Sequence, residues 1–185
     1  MTLERTAAET IRVLKECTSN KEINLAIDQI TESIIKTDEV GKLITIFGNG
    51  GSAADAQHWS GELICTYSNP VRKSYRSIAL TTDSSVLTAW PNDFEFETVF
   101  ERQIISMGNI IGLAIGLSTS GQSKNVIKAL KKAKDYGSQT CLITGNNKTK
   151  YDYIDYLIKI PSSETAIIQT ITQVIYHSIC QKLEP

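Results

Sequence analysis

The spacing of apolar positions changes character near residue 42. Over residues 2–17, Leu3, Ala7, Ile11 and Leu14 recur at intervals of four and three, which predicts an amphipathic helix ending at Thr18-Ser19-Asn20. A second helix is predicted from about Glu22, where Ile23, Ala26, Ile27, Ile30, Ile34 and Ile35 keep the same intervals until Gly41. These two helices precede anything strand-like. Their apolar stripes need a surface to bury against, either the later sheet or another subunit.

From Lys42 onward short β-branched runs alternate with helical segments. Strands are predicted at 43–47, 77–81, 110–117, 139–144 and 156–160. Helices are predicted at 52–66, at 84–107 with a break at Pro91, at 122–136 closed by Gly137, and at 164–183. Strands that are continuously apolar and separated by helices imply a parallel sheet covered on both faces. The predicted fold is α/β: a three-layer αβα sandwich on a five-stranded parallel sheet, preceded by the helical pair, in one domain spanning 1–185. In such sheets ligands bind at the carboxyl ends of the strands, where loops run into helix N-termini.

Composition narrows the function. Nineteen Lys plus Arg against 20 Asp plus Glu leave a net charge of −1, which gives no field to gather nucleic acid or anionic lipid. The longest apolar run, 110–117, is far short of the ~20 residues of a membrane helix, so neither a membrane nor a nucleic acid is an expected partner. Cys17, Cys65, Cys141 and Cys180 are widely spaced without a C-x-x-C pair, as expected of reduced thiols in a cytoplasmic protein.

Two post-strand loops carry candidate binding chemistry. Gly48-Asn49-Gly50-Gly51-Ser52 permits a sharp turn and close backbone approach, with Ser52 available to cap the next helix. Ser118-Thr119-Ser120-Gly121-Gln122-Ser123 places four hydroxyls around a helix start, more than capping requires and suited to a phosphate monoester. No Walker lysine follows either loop, so no nucleotide cofactor is expected.

Acid/base chemistry has few candidates. His58 and Glu62 are four apart on one helix, and Gln169, Gln173 and His177 form a polar row beside a buried isoleucine stripe. A Glu base and a His acid suffice to move a proton between adjacent carbons of a sugar phosphate through an enediol. The same set, with Gln169 as an unusual fourth donor, could instead hold a divalent ion such as zinc. Asp83 is a candidate helix cap. Asp93, expected in a loop after Pro91, could orient sugar hydroxyls or the catalytic pair, or simply serve a turn.

Residues 48–58, Ala79-Leu80-Thr81-Thr82-Asp83, Asn92-Asp93, Ser118-Thr119-Ser120-Gly121 and the Gln169 to His177 spacing together resemble the sugar isomerase (SIS) fold, of flavodoxin-like type. Within it they resemble the phosphoheptose isomerases, which interconvert sedoheptulose 7-phosphate and D-glycero-D-manno-heptose 7-phosphate for bacterial surface glycans. The resemblance implies a cytoplasmic homotetramer with sites between subunits. It implies Glu62 as proton-abstracting base, His177 as its acid/base partner and Asp93 assisting. Asn49, Gly50, Gly51, Ser52, Asn92 and Gln169 would lie at the sugar, and Ser118, Thr119, Ser120 and Ser123 at the phosphate. His58, Glu62, Gln169 and His177 match the ligands of zinc-carrying members, one ion per subunit. A non-catalytic SIS regulator of the replication-initiator-binding type is the rival, and Glu62, Ser120 and His177 favour the enzyme. The chain departs from the isomerase pattern at Thr66, at Ile167 and Thr170, and at Trp90-Pro91, so an isomerase of a different sugar phosphate stays open.

Overall fold

The computed structural model describes residues 2–184, so the first and last residues of the expected domain lie outside it. Its helices are α1 (Leu3–Ser19), α2 (Lys21–Glu39), α3 (Gly51–Ile64), α4 (Ser84–Asp93), α5 (Val99–Met107), α6 (Lys124–Asp135) and α7 (Thr165–Lys182). Its strands are β1 (Leu43–Gly48), β2 (Ser77–Ala79), β3 (Ile111–Ser118), β4 (Gln139–Thr144) and β5 (Tyr156–Lys159). The strands form one sheet in the order β2-β1-β3-β4-β5, parallel throughout. The order reverses between β1 and β3, where a doubly wound sheet opens a crevice for ligand.

Alternation along each strand sorts the core into two layers. Ile44 and Ile46, Leu113, Ile115 and Leu117, and Cys141 and Ile143 face α1, α2, α3 and α7. Phe47, Ala114 and Leu142 face α5 and α6. This period-two alternation makes the strands apolar on both sides, which is why they read as unbroken apolar runs.

The leading helices divide unequally between the core and the surface. Of the α2 stripe, Ile23, Ala26, Ile30 and Ile34 are buried, with Ile27 and Ile35 packed partly against the same core. In α1 the stripe expected from spacing is not the buried one: Val13 and Cys17 are buried, whereas Leu3 and Ile11 are 86% and 53% exposed. Only the C-terminal half of α1 reaches the α2/α7 layer, and no residue of its first turns is fully buried within this chain.

Pro91 does not break the helix where its lack of an N–H suggested. α4 continues through it to Asp93 and ends at Phe94, whose N–H donates to the carbonyl of Trp90. No residue of α4 is fully buried, so the carbonyl that Pro91 leaves unpaired can be hydrated, which lowers the usual penalty. Asp93 is therefore the last residue of a helix and not a loop residue.

β2 is shorter than expected because the chain turns toward α3 after Ala79. The Thr81 hydroxyl donates to the carbonyl of Ala53, and Gln57 donates to the carbonyl of Thr81.

Candidate active site

The loop after β1 meets α3 at its first turn. Gly50 is the helix cap and carries a positive φ of 57°, so no side chain caps α3, and Ser52 lies buried inside the first turn instead of at the cap. A Cβ on Gly51 would stand 2.5 Å from Nε2 of Gln169, so only glycine lets α7 place this carboxamide against the head of α3.

The hydroxyl loop after β3 is built similarly. Ser118 Oγ donates to Ser123 Oγ at 2.9 Å, and Ser120 Oγ accepts from the Gln122 N–H at 3.1 Å. Ser123 occupies the cap position of α6 without making a side-chain cap bond, so the first-turn N–H groups other than that of Val126, which donates to Asn125 Oδ1, can face an anion. Gly121, with φ of 67°, is held from behind by Tyr151, whose hydroxyl donates to its carbonyl at 3.0 Å. Sequence reading singled out neither Tyr151 nor Asn147, which also meets that hydroxyl. Their loop carries no period to mark them.

The acid/base candidates gather at the other end of α3. One donor atom each from His58, Glu62 and His177 lie within 4.8 Å of one another. His58 Nε2 is 3.1 Å from Glu62 Oε1, and its Nδ1 is 2.9 Å from the Tyr176 hydroxyl. Glu62 as a carboxylate only accepts, so Nε2 carries the proton and the Tyr176 hydroxyl donates to Nδ1. The imidazole of His177 packs 5.2 Å from that of His58 and 5.4 Å from the ring of Tyr67, centroid to centroid. Burial lowers the His177 pKa, and the neighbouring His58 adds to this while Glu62 opposes it, which favours the neutral ring.

A buried brace holds the end of α3 that carries Glu62. Arg72, 6% exposed, donates to the carbonyls of Glu62, Leu63 and Cys65 at the C-terminus of α3, where a cation also complements the dipole, and to that of its neighbour Lys73. Glu184 accepts from the N–H groups of Tyr67, Ser68 and Asn69 and lies 3.8 Å from the Arg72 guanidinium. This pair joins residues more than a hundred positions apart. No local pattern could have announced it.

Two imidazoles and a carboxylate form a donor set that suits zinc; with an ion on Nε2 the His58 proton would move to Nδ1, which could then donate to the Tyr176 oxygen, the usual support for such a ligand. The residues thus fit a divalent ion. Gln169 stands apart, with its carboxamide against Gly51. Glu62 is eleven residues beyond Gly51, about 16 Å along the helix at 1.5 Å per residue. Asn92 and Asp93 pair with each other at 2.8 Å on the exposed end of α4, in a shallow surface hollow shared with Ser85, Thr88 and Ala89. Asp83 caps α4 by accepting from the N–H groups of Ser85 and Val86.

The sequence profile of the SIS domain matches residues 6–145, so the chain belongs to the SIS domain family. Its relatives include phosphoheptose isomerases. That of Aquifex aeolicus is 46% identical over 145 residues, covering 78% of this chain and 75% of the relative. That of Aliarcobacter butzleri is 38% identical and covers 98% and 91%. Among solved structures, phosphoheptose isomerase GmhA from Neisseria gonorrhoeae superposes with a TM-score of 0.85 at 33% identity, covering 97% of each chain. A phosphoheptose isomerase from Francisella tularensis gives 0.89 at 26% identity, covering 99% of this chain and 98% of its own.

Proposed function

We propose that this chain, acting as one SIS unit over 1–185, is an aldose–ketose isomerase that interconverts sedoheptulose 7-phosphate and D-glycero-D-manno-heptose 7-phosphate. The observation that carries the reading is the meeting of Glu62, His58 and His177 from two distant helices, in a fold shared with phosphoheptose isomerases. The phosphate lies on Ser118, Thr119, Ser120 and Ser123 at the open start of α6. Asn49, Gly50, Gly51, Ser52, Asn92, Asp93 and Gln169 surround the sugar.

Glu62 removes a proton from C1 of the ketose and the C2 carbonyl becomes a hydroxyl, giving the enediol. Return of the proton to C2 with loss of one from O1 yields the aldose. His177, neutral at rest, exchanges protons with the two oxygens, and Asp93 assists. His58, Glu62 and His177 would hold one zinc ion per subunit, and Gln169, which lies at the other end of α3 in the same chain, could serve as a fourth donor only from a neighbouring copy. When bound, such an ion supplies Lewis-acid polarisation of the carbonyl.

The assembly is read as a homotetramer with sites shared between subunits. In one chain the phosphate loop and the proton-transfer cluster stand at opposite ends of α3, so a neighbouring copy is needed to complete each site. The exposed apolar side chains Leu3, Ile11, Leu25 and Val174, the last lining a groove of about 230 Å³ between α1, α2 and α7, offer such a copy a surface. All four cysteines are free, in keeping with a reducing cytoplasm, and none of the described helices is long and apolar enough to cross a membrane. Heptose supply for lipopolysaccharide or capsule is the role that fits this activity.

Exchange of solvent deuterium into C1 of sedoheptulose 7-phosphate and into C2 of the aldose product tests the reaction, because an enediol admits solvent protons and simple binding does not. A panel of C5 to C7 ketose phosphates, with chelator or added zinc, tests substrate and metal together. Binding without exchange would instead identify a regulatory SIS module.

A further inference from the structure

Across the crevice between β1 and β3, two carboxamides form a reciprocal pair. Asn49 Nδ2 donates to Asn125 Oδ1 at 2.9 Å, and Asn125 Nδ2 donates to Asn49 Oδ1 at 2.8 Å. Asn125 lies in the first turn of α6 and is 3% exposed. Its Oδ1 also accepts from the N–H of Val126 at 3.0 Å. That third bond fixes the direction of the other two. A backbone N–H can only donate, so the atom facing it must be the Asn125 oxygen. The Asn125 nitrogen then has to face the Asn49 oxygen, and the Asn49 nitrogen has to face back. Asn49 keeps one N–H and part of its oxygen free, beside a cavity of about 190 Å³ also bordered by Gly50, Thr81 and Phe96.

We infer that Asn125 is a positioning residue of the isomerase site: it acts through Asn49, holding that carboxamide in one orientation toward the sugar and tying the sugar loop to the helix that receives the phosphate. The inference rests on the reading of Asn49 as a sugar contact. The backbone of α6 thereby sets which polar atom Asn49 shows to the substrate. A free asparagine would present either face, and half of the encounters would meet an acceptor where a donor is needed.

A double-mutant cycle of Asn49→Ala and Asn125→Ala tests this, with KM, kcat and melting temperature read for each variant. If Asn125 acts through Asn49, each single change raises KM about 10-fold with kcat within about two-fold, and the double variant is no worse than the poorer single. KM effects that multiply in the double variant, or an unchanged KM in Asn125→Ala, overturn the inference. Asn125→Ser guards against a variant that fails to fold. Its hydroxyl can still accept from Val126 but cannot make the reciprocal pair, so it too must raise KM. Calorimetric Kd values for sedoheptulose 7-phosphate repeat the cycle without turnover. Binding without turnover in the unmodified protein therefore overturns only the isomerase reading, whereas absence of both overturns the two together.

Discussion

The hydroxyl of Tyr176 lies 2.9 Å from Nδ1 of His58, on the far side of the imidazole from Glu62. Tyr176 is itself fixed by stacking on the buried Trp59 at 5.5 Å. The ring of His58 is thus held at both nitrogens, and Nε2, the one facing Glu62, would be presented to an ion. Tyr176→Phe keeps the stack and removes the hydrogen bond. Zinc affinity measured by competition with a chromogenic chelator should fall about 10-fold, the lower end of the range for loss of such a support, with the melting temperature nearly unchanged.

Glu62 and His177 carry the proposed proton transfer, and neither belongs to the buried core. Glu62→Gln and His177→Ala should each lower kcat by about 10²- to 10⁴-fold, the usual contribution of a positioned acid or base. Far-ultraviolet circular dichroism and size-exclusion profiles should match those of the unmodified protein. Turnover retained in both variants would remove these residues from the mechanism.

Ser120 is exposed at the turn of the proposed phosphate loop, where its hydroxyl accepts from the N–H of Gln122. Its hydroxyl can therefore serve a ligand at little structural expense. Ser120→Ala should raise KM about 5- to 10-fold, corresponding to one hydrogen bond to a charged group, and leave kcat close to its starting value. An unchanged KM would count against the loop as the phosphate site.

Glu184 gives the fold a defined sensitivity to acid. Burial pushes its pKa up, but the N–H of Asn69, the hydroxyl and N–H of Ser68 and the N–H of Tyr67 outweigh this and bring it from 4.5 to about 2. The folded value lies below the unfolded one, so the stabilisation is full above about pH 4.5 and is lost as pH falls toward about 2. Urea unfolding from pH 6 to pH 3 should show stability declining with acid, and Glu184→Gln should decline less steeply over the same window. Equal slopes would mean that other carboxylates dominate.

The alternation of apolar runs and amphipathic helices was enough to define a parallel α/β sandwich, because each strand buried on both faces must be apolar at every position. The strand after residue 138 was legible to the residue: 139–144 is β4. Boundaries slipped where a local rule met a tertiary contact. Thr81 leaves the sheet because it bonds to α3, and Pro91 stays helical because α4 lies at the surface. Of the α1 stripe, Leu14 packs on the core while Leu3 and Ile11 stay exposed within this chain, because the first half of that helix buries no residue fully against its own core.

The candidate chemistry divides in the same way. His58 and Glu62 share a helical face by spacing alone, and two hydroxyl- or glycine-rich loops stand after strands by sequence order alone. The approach of His177 to that pair, the Arg72–Glu184 brace, the Tyr176 support and the Asn49–Asn125 pair all join distant residues, and each depends on how α3, α6 and α7 pack around the sheet. Periodicity along a chain reports which face of an element is buried. It carries no information about which element lies opposite, and only the packed sheet decided that.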